Sequence, residues 1–252
     1  MVKLTNRPLQ PSSRVSALPR PVTGAIVAVL VACAAAAWLL TIRQAASMGM
    51  GGVAMMDAGL FLVTWVVMMV AMMFPSVVPV VLAHASVSRT RGAGSLPTAA
   101  FVAGFLAVWA AAGLVPLAAI QALSSSFAAP IAGWLPRLAG VVIVLAGLYQ
   151  LTPLKNLCLT ACRSPLGFVM THDFGGGAAS AARAGISHGL YCLGCCWALM
   201  TVLAVLGLMN VAWMAAFAVV FFLEKNWRSG VQLSQAVGLA CVVGGLFVLI
   251  VA

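Results

Sequence analysis

The stretch at residues 60–83, LFLVTWVVMMVAMMFPSVVPVVLA, decides the fold class because it contains no charged residue. It is longer than the roughly 20 apolar residues with which an α-helix crosses a bilayer core. Over the whole chain of 252 residues, 64% are hydrophobic and 6% are charged, whereas about 25% are charged in a typical soluble domain. This composition excludes soluble globular, disordered and disulfide-rich secreted proteins. It predicts an all-α fold, a polytopic bundle of transmembrane helices.

Apolar stretches of similar length recur along the chain and predict about seven spans. The sixth is short, and six spans result if it is re-entrant or interfacial. We expect one transmembrane domain at 22–252, preceded by a basic cytoplasmic tail at 1–21 and including a Cys-containing cytoplasmic loop at 152–184. The Gly185-x-x-x-Gly189 spacing predicts a close approach between helices. The predicted spans are 22–42, 57–83, 98–123, 134–151, 185–207, 210–225 and 232–252.

The charge of the chain predicts its orientation. Its formal net charge is +10, from 13 Lys and Arg against 3 Asp and Glu. With seven spans, 11 of the 13 basic residues fall at one side of the membrane. Basic residues concentrate in cytoplasmic loops, so we predict a cytoplasmic amino terminus and an external carboxyl terminus. In this setting basic residues contact anionic headgroups. We therefore expect the lipid bilayer as a partner and no nucleic acid.

Three cysteines occur together in the stretch Tyr191–Trp197. Residues three and four apart share a helix face, so Cys192 faces the same way as Cys195 and Cys196. One turn earlier, His188 joins this stripe. Imidazole, thiolate and thioether groups are ligands for soft transition metals. Buried cysteines also serve as small apolar side chains, but three within five residues beside an in-phase histidine favour a metal site.

A second cysteine pair, Cys158 and Cys162, lies in the predicted cytoplasmic loop. Thiols are normally kept reduced in that compartment, and a pair at i, i+4 can clamp a metal ion. In the same loop, His172 is isolated, and we interpret it as an ordinary loop histidine.

Methionines form a second pattern, in the second span. Met68 pairs with Met72, and Met69 pairs with Met73, each at i, i+4. A thioether ligand is uncharged, which suits Cu(I) inside a bilayer where charged ligands are costly. The alternative interpretation is that these methionines fill gaps in the core.

Ionisable groups within or near the spans complete a possible metal route. Pro75 and Pro79 are expected to interrupt span two, with His84 at its cytoplasmic end. Glu224 is either a functional intramembrane carboxylate or a boundary residue paired with Lys225 or Arg228. Asp57 would begin span two. We predict a route from external methionines (Met48–Met56) through the span-two methionines at mid-membrane to the cytoplasmic side, where the further ligands would be His84, His188, Cys192, Cys195, Cys196, Glu224, Cys158 and Cys162.

Four motifs together resemble a bacterial integral-membrane family of unknown function, described as predicted metal-binding membrane proteins. They are the Met-rich stretch Trp65–Pro75, the segment Tyr149–Pro165 with its Thr-Pro-Leu-Lys and two cysteines, Cys192–Trp197, and Gly207–Met214. The resemblance covers roughly residues 55–228. It implies metal binding and a multi-pass protein of the bacterial inner (plasma) membrane. The Met-x3-Met pairs are similar to those of eukaryotic copper transporters, and the adjacent cysteines to those of mercuric-ion transport proteins.

We therefore predict a membrane protein that binds a soft metal, foremost Cu(I), and conducts it or hands it to a metal-delivery partner. Other soft metals remain open. One alternative is a membrane thiol–disulfide oxidoreductase, because Cys192-x-x-Cys195 has the spacing of a redox pair. Another is a non-catalytic subunit that delivers copper within a membrane complex. The chain has no phosphate-binding Gly-Lys loop and no recognisable nucleophile motif, which favours a non-enzymatic role.

Overall fold

The computed structural model describes residues 18–47, 56–126, 134–165, 167–168, 177–208 and 210–251. Within these ranges the chain forms helices joined by short connections, without a β-strand, which confirms the predicted all-α fold. The main helices, in chain order, are α1 (Arg20–Ser47), α2 (Ala58–Thr90), α3 (Leu96–Ala112), α4 (Leu114–Ser126), α5 (Leu135–Gln150), α6 (Pro153–Arg163), α7 (Gly177–Gly207), α8 (Val211–Asn226) and α9 (Gly230–Val251).

The described helices include five stretches that are long and apolar enough to cross a membrane: α1, α2, α3 with α4 (Leu96–Ala122), α7 and α9. The pair α5 and α6, which bends by 63°, makes a sixth if it counts as one span. With 16 residues, α8 is about 24 Å long and shorter than a bilayer core. The chain is thus a multi-pass membrane protein, and the predicted number of spans, seven or six, stays a prediction. The predicted sixth span is the short helix α8.

Helices α2 and α7 form the centre of the bundle, and α1 and α9 lie at its edge. In the most apolar window of each helix, 56% of the residues are buried in α2 and 50% in α7, against 22% in α1 and 17% in α9. Helix α7 packs against α3, α5, α6 and α8, and α2 packs against α1, α3 and α8. The edge helices expose large apolar side chains such as Leu39, Phe247 and Ile250. Such faces suit contact with lipid tails, which are as apolar as leucine.

Small residues bring α3 and α7 into close contact. A Cβ atom added at Gly185 would overlap the carbonyl oxygen of Phe101, and one at Gly189 would lie 2.9 Å from Cβ of Val108. On the facing helix, Gly104 lies equally close to the carbonyl group of Ala182. The predicted close approach at the Gly185-x-x-x-Gly189 spacing is confirmed.

Two glycines on each helix bring α5 against α9. An added Cβ at Gly147 would lie 2.6 Å from the carbonyl oxygen of Gly238, and one at Gly245 would lie 2.8 Å from that of Gly140. Gly140 and Gly147 are seven residues apart on α5, as are Gly238 and Gly245 on α9, so the two backbones meet over two helical turns. These glycines allow the two backbones to pack without side chains between them.

The third predicted span is broken near its middle. A proline lacks the N–H that would bond to the residue four positions earlier, and Pro116 follows Ala112, the last residue of α3, by four. At the break, Gly113 lies against the ring of Trp65, whose Nε1 donates to the carbonyl oxygen of Trp109 at 2.8 Å. In contrast, Pro75 and Pro79 lie inside a continuous α2. The predicted interruption of span two is therefore not observed.

The segment predicted as a loop, 152–184, is largely helical where the structure describes it. Helix α6 starts after Thr152, whose hydroxyl accepts from the N–H of Lys155 at 3.3 Å, and Pro153 occupies the first helical position. This combination is a favourable helix start. Helix α7 begins at Gly177, eight residues before the predicted span, so Cys192 lies at its middle.

Candidate metal centre

Four cysteine side chains meet in the interior, between α6 and α7. Cys162 lies on α6 and Cys192, Cys195 and Cys196 lie on α7, and each is at most 6% exposed. The sulfur of Cys195 is 3.8 Å from that of Cys162 and 3.4 Å from that of Cys196. All four are free thiols. We refer to these four residues as the cysteine cluster.

Lys225 joins the cysteine cluster to α2. From the end of α8, its Nζ lies 3.1 Å from Sγ of Cys192, 3.3 Å from Oγ of Ser76 and 3.5 Å from Sδ of Met73. The side chain is 8% exposed. The predicted metal route assumed that spans two and five meet, and in the structure Lys225 of α8 bridges α2 and α7. From the sequence, Lys225 is expected only as a possible partner of Glu224.

A buried ion pair braces the other side of the cluster. Nζ of Lys155 lies 2.8 Å from Oε2 of Glu224, and both side chains are 0% exposed. The same amine donates to the carbonyl oxygen of Cys195. Arg163 adds hydrogen bonds to the carbonyl oxygens of Glu224, at 2.7 Å, and Arg228, at 2.9 Å. Helices α6, α7 and α8 are thus tied together around the cysteines.

The partner of Glu224 differs from both predicted partners. Adjacent residues on a helix point about 100° apart, so Glu224 faces α6 while Lys225 faces α2 and α7. Lys155 falls in the predicted cytoplasmic loop at 152–184, yet its side chain is completely buried. The signal that could have identified it was the carboxylate itself, because a buried acid requires a cationic or hydrogen-bonding partner.

The four span-two methionines are buried. One of them, Met73, contacts the amine of Lys225 beside the cysteine cluster. Met68, Met69, Met72 and Met73 are 0–2% exposed. The Lys225 amine contacts Met73, which lies near the middle of α2, and Cys192, which lies near the middle of α7. The predicted route placed the methionines and cysteines at successive depths. Met73 and Cys192 instead lie in one layer, because both contact the amine of Lys225.

The histidines belong to a neighbouring aromatic layer. The ring of His188 lies 5.0 Å from that of Phe168 and 6.0 Å from that of Phe101, and the ring of His84 stacks on Phe101 at 4.8 Å. Nδ1 of His84 is also 3.4 Å from Oγ1 of Thr98. Phe101, on α3, therefore lies between the two predicted ligands, and His188 precedes Cys192 by one helical turn of α7.

Cys158 and Cys162 have different surroundings although they lie on one face of α6. Whereas Cys162 contacts Cys195, the sulfur of Cys158 lies against Gly194, where an added Cβ would be 2.7 Å away. Cys162 is a member of the buried cluster rather than half of an exposed clamp. Gly194 is also fixed from the other side, because its carbonyl oxygen accepts from the hydroxyl of Tyr149 at 2.7 Å.

Some predictions fall at the ends of described segments or outside them. Asp57 caps α2, accepting from the N–H of Gly59 at 2.7 Å, so it begins span two as predicted. Met56 is half-buried beside it. The other predicted external methionines (Met48, Met50 and Met55) and His172 lie outside the described residues.

The donor chemistry of the cluster suits a soft metal, although the sulfurs contact one another. Thiols and a thioether are the donors that Cu(I) prefers. Among the residues that the structure describes, no three His, Cys, Asp or Glu side chains surround a position for a metal ion. Rotation about the Cα–Cβ bonds would be needed to open a position between the sulfur atoms.

The fold and the cluster together define a class: a polytopic helical membrane protein with soft donors in its interior. Residues 62–248 match the profile of the PpoB2 family, which is described as a copper chaperone. Because the match covers most of the chain, this protein belongs to that family. The predicted relationship to a metal-binding membrane family is confirmed, and copper is the metal that the family description names. No curated protein matches the chain. No solved structure matches it either.

Proposed function

We propose that this protein binds Cu(I) at the cysteine cluster and hands it to a partner protein in or at the membrane. The observation that carries the proposal is the contact of four buried thiols with one another, beside the amine of Lys225. Membership in a copper chaperone family supports copper as the cargo. The charge distribution supports a bacterial plasma membrane location with the amino terminus in the cytoplasm.

The buried charges favour a complex of Cu(I) with two thiolates. In the described part of the chain, the buried Lys and Glu side chains are Lys155, Glu224 and Lys225. Lys155 and Glu224 neutralise each other at 2.8 Å, which leaves the positive charge of Lys225. Two thiolates and one Cu(I) ion carry a single negative charge. That complex would neutralise Lys225, and an uncompensated buried charge would be avoided.

Release of copper to a partner is supported by the arrangement of the donors. The thiols come from two helices, and the thioether of Met73 approaches from a third. Cu(I) can therefore change from one sulfur ligand to another without being released into the membrane interior. The half-buried Cys158, one turn from Cys162 on α6, supplies a more accessible thiol toward which the ion could be passed.

Titration of the purified full-length protein with Cu(I), in competition with a chromogenic chelator, tests the site. We expect one tightly bound ion per chain and loss of this binding in the triple variant Cys192→Ser, Cys195→Ser, Cys196→Ser. The matched control is Cys33→Ser with Cys241→Ser, because both residues lie outside the cluster. Equal binding by the triple variant and the control would reject the cluster as the copper site.

Handover requires a separate test. Copper-loaded protein, repurified from membranes, is mixed with candidate apo-cuproproteins of the same cells. We expect transfer to a membrane-associated acceptor, with a rate that falls in Cys158→Ser while stoichiometric loading is retained. Loading without transfer to any acceptor would indicate storage and would contradict the chaperone role in this chain.

A thiol–disulfide oxidoreductase is the second candidate, favoured by the 3.8 Å distance between the sulfurs of Cys162 and Cys195. A disulfide needs its sulfurs about 2.05 Å apart, which a small movement of α6 would allow. However, reactive redox cysteines are partly exposed, and Cys195 is 1% exposed. Alkylation of cells quenched in acid distinguishes the two functions, because an oxidoreductase would yield a trapped disulfide or mixed disulfide.

A further inference from the structure

A large apolar cleft separates α1 from α3, with α2 as its floor. Its volume is about 1130 Å³. The walls are mainly Val, Leu, Ile, Ala and Phe side chains, such as Ile26 on α1, Val81 on α2 and Val102 on α3. This cleft is separate from the cysteine cluster, none of whose members line it.

The polar groups of the cleft are concentrated at one end. Arg89, in the last turn of α2, lines this end together with Ser95 and Thr98 at the start of α3. Ser95 makes no side-chain capping hydrogen bond and Pro97 has no N–H, so the N–H groups of Leu96 and Thr98 are the donors that α3 offers an anion. Arg89 is exposed, and its guanidinium can hold a phosphate by paired hydrogen bonds.

The chain offers few acids that could neutralise Arg89 instead. It has 3 Asp and Glu residues in total. Of these, Asp57 caps the opposite end of α2 and Glu224 pairs with Lys155, and Asp173 lies outside the described residues. Because neither described acid lies beside Arg89, the charge at this end of the cleft favours an anionic partner from outside the chain.

The length of the cleft matches one leaflet of a bilayer. The lining residues of α1 run from Pro21 to Cys33, about 18 Å along the helix. This is close to half of a hydrocarbon core about 30 Å thick. Helix α1 contributes its first half and α2 its second half, from Phe74 to Arg89. A transmembrane helix of a partner would need walls along the whole thickness, whereas a lipid tail needs one leaflet.

We infer that this cleft binds one anionic phospholipid, with its phosphate at Arg89 and the first turn of α3 and its acyl chains along the apolar walls. The lipid would also cover one side of the aromatic layer that contains His84 and His188. Thr98 lines the cleft and contacts His84 at 3.4 Å.

Native mass spectrometry of the full-length protein, after exchange into detergent with phosphatidylglycerol or phosphatidylcholine, tests this inference. We expect one retained phosphatidylglycerol per chain and weaker retention of phosphatidylcholine. In Arg89→Gln the preference for phosphatidylglycerol should fall about fivefold, because one basic residue contributes about 1 kcal/mol to binding an anionic headgroup. Arg91→Gln is the control, since it removes the same charge two residues away and does not line the cleft.

A second variant tests the apolar part of the cleft. Ala103→Trp places a large ring against the walls and should lower retention of both lipids, while the variant keeps the thermal unfolding temperature of the wild type. Equal retention of the two lipids by the wild type would overturn the inference. So would an equal loss in Arg89→Gln and Arg91→Gln, or a second copy of the chain occupying the cleft, seen as a dimer that Ala103→Trp dissociates.

Discussion

Lys225 places a positive charge beside the sulfur atoms that we propose as copper ligands, and its removal provides the most direct residue-scale test. In Lys225→Leu the side chain loses its charge and its hydrogen bonds, and no sulfur ligand is added to the site. We expect Cu(I) to bind roughly 10- to 100-fold more weakly, because hydrogen bonds to charged groups contribute about 1.5–3 kcal/mol. Competition titration against a chelator measures this change.

The control for Lys225→Leu is Arg228→Gln, which removes a positive charge from an exposed side chain three residues away. It should leave the affinity for Cu(I) unchanged. If Lys225→Leu bound Cu(I) as tightly as this control, charge balance would have no part in copper binding.

The sequence identified the thiols of the site better than its charges. Helical spacing correctly placed Cys192, Cys195 and Cys196 together, because residues on one face of a helix remain neighbours in any fold. It could not show that Lys155 and Lys225 come from other helices to meet them. Those contacts depend on the direction in which α6 and α8 pack, and no local pattern in a single sequence specifies that direction.

At the scale of helices, the Lys155–Glu224 pair predicts an unequal effect of single and double substitutions. Lys155→Met alone leaves a buried, uncompensated carboxylate and should destabilise the protein by about 3–5 kcal/mol. Lys155→Met combined with Glu224→Leu removes both charges and should recover most of the loss. The thermal unfolding temperature of the purified variants measures both effects. A double variant less stable than the single variant would refute this account of the brace.

The packing of α5 against α9 makes a second prediction at this scale, from two adjacent glycines. Gly245→Ala adds a methyl group 2.7 Å from a methyl carbon of Val144, whereas Gly244→Ala points into open space. We expect the first to cost about 1–3 kcal/mol by overpacking. The second should be neutral or slightly stabilising, because alanine favours a helix. Similar unfolding temperatures for the two variants would show that the helices separate easily at this point.

Apolar runs specified the long helices, but they failed where a helix is short or polar. Helix α6 has 11 residues, including charged ones, so no apolar run marks it. Its start at Thr152-Pro153 nevertheless carried a recognisable capping signal. The prolines of α2 predicted a break that is absent. Pro75 and Pro79 lie inside a continuous helix.

For the whole molecule, the uneven distribution of basic residues predicts the topology. A fluorescent protein fused to the amino terminus should fluoresce in the cytoplasm, and alkaline phosphatase fused to the carboxyl terminus should be active outside it. The second result requires that α8, with its 16 residues, crosses the membrane to the cytoplasmic side and that α9 crosses back. A cytoplasmic carboxyl terminus would indicate that α8 turns back within the membrane.

The buried ion pair between α6 and α8 also has a consequence for biosynthesis. The ribosome completes Lys155 well before Glu224, 69 residues later in the chain. Until α8 is made and packed, the amine of Lys155 cannot pair with the carboxylate of Glu224. Burial of the unpaired charge in the protein interior is costly. We therefore expect α6 to stay in the polar headgroup region while the later helices are inserted. A nascent chain truncated before α8 should remain a substrate for membrane proteases, and the final docking of α6 would be the step that marks completion.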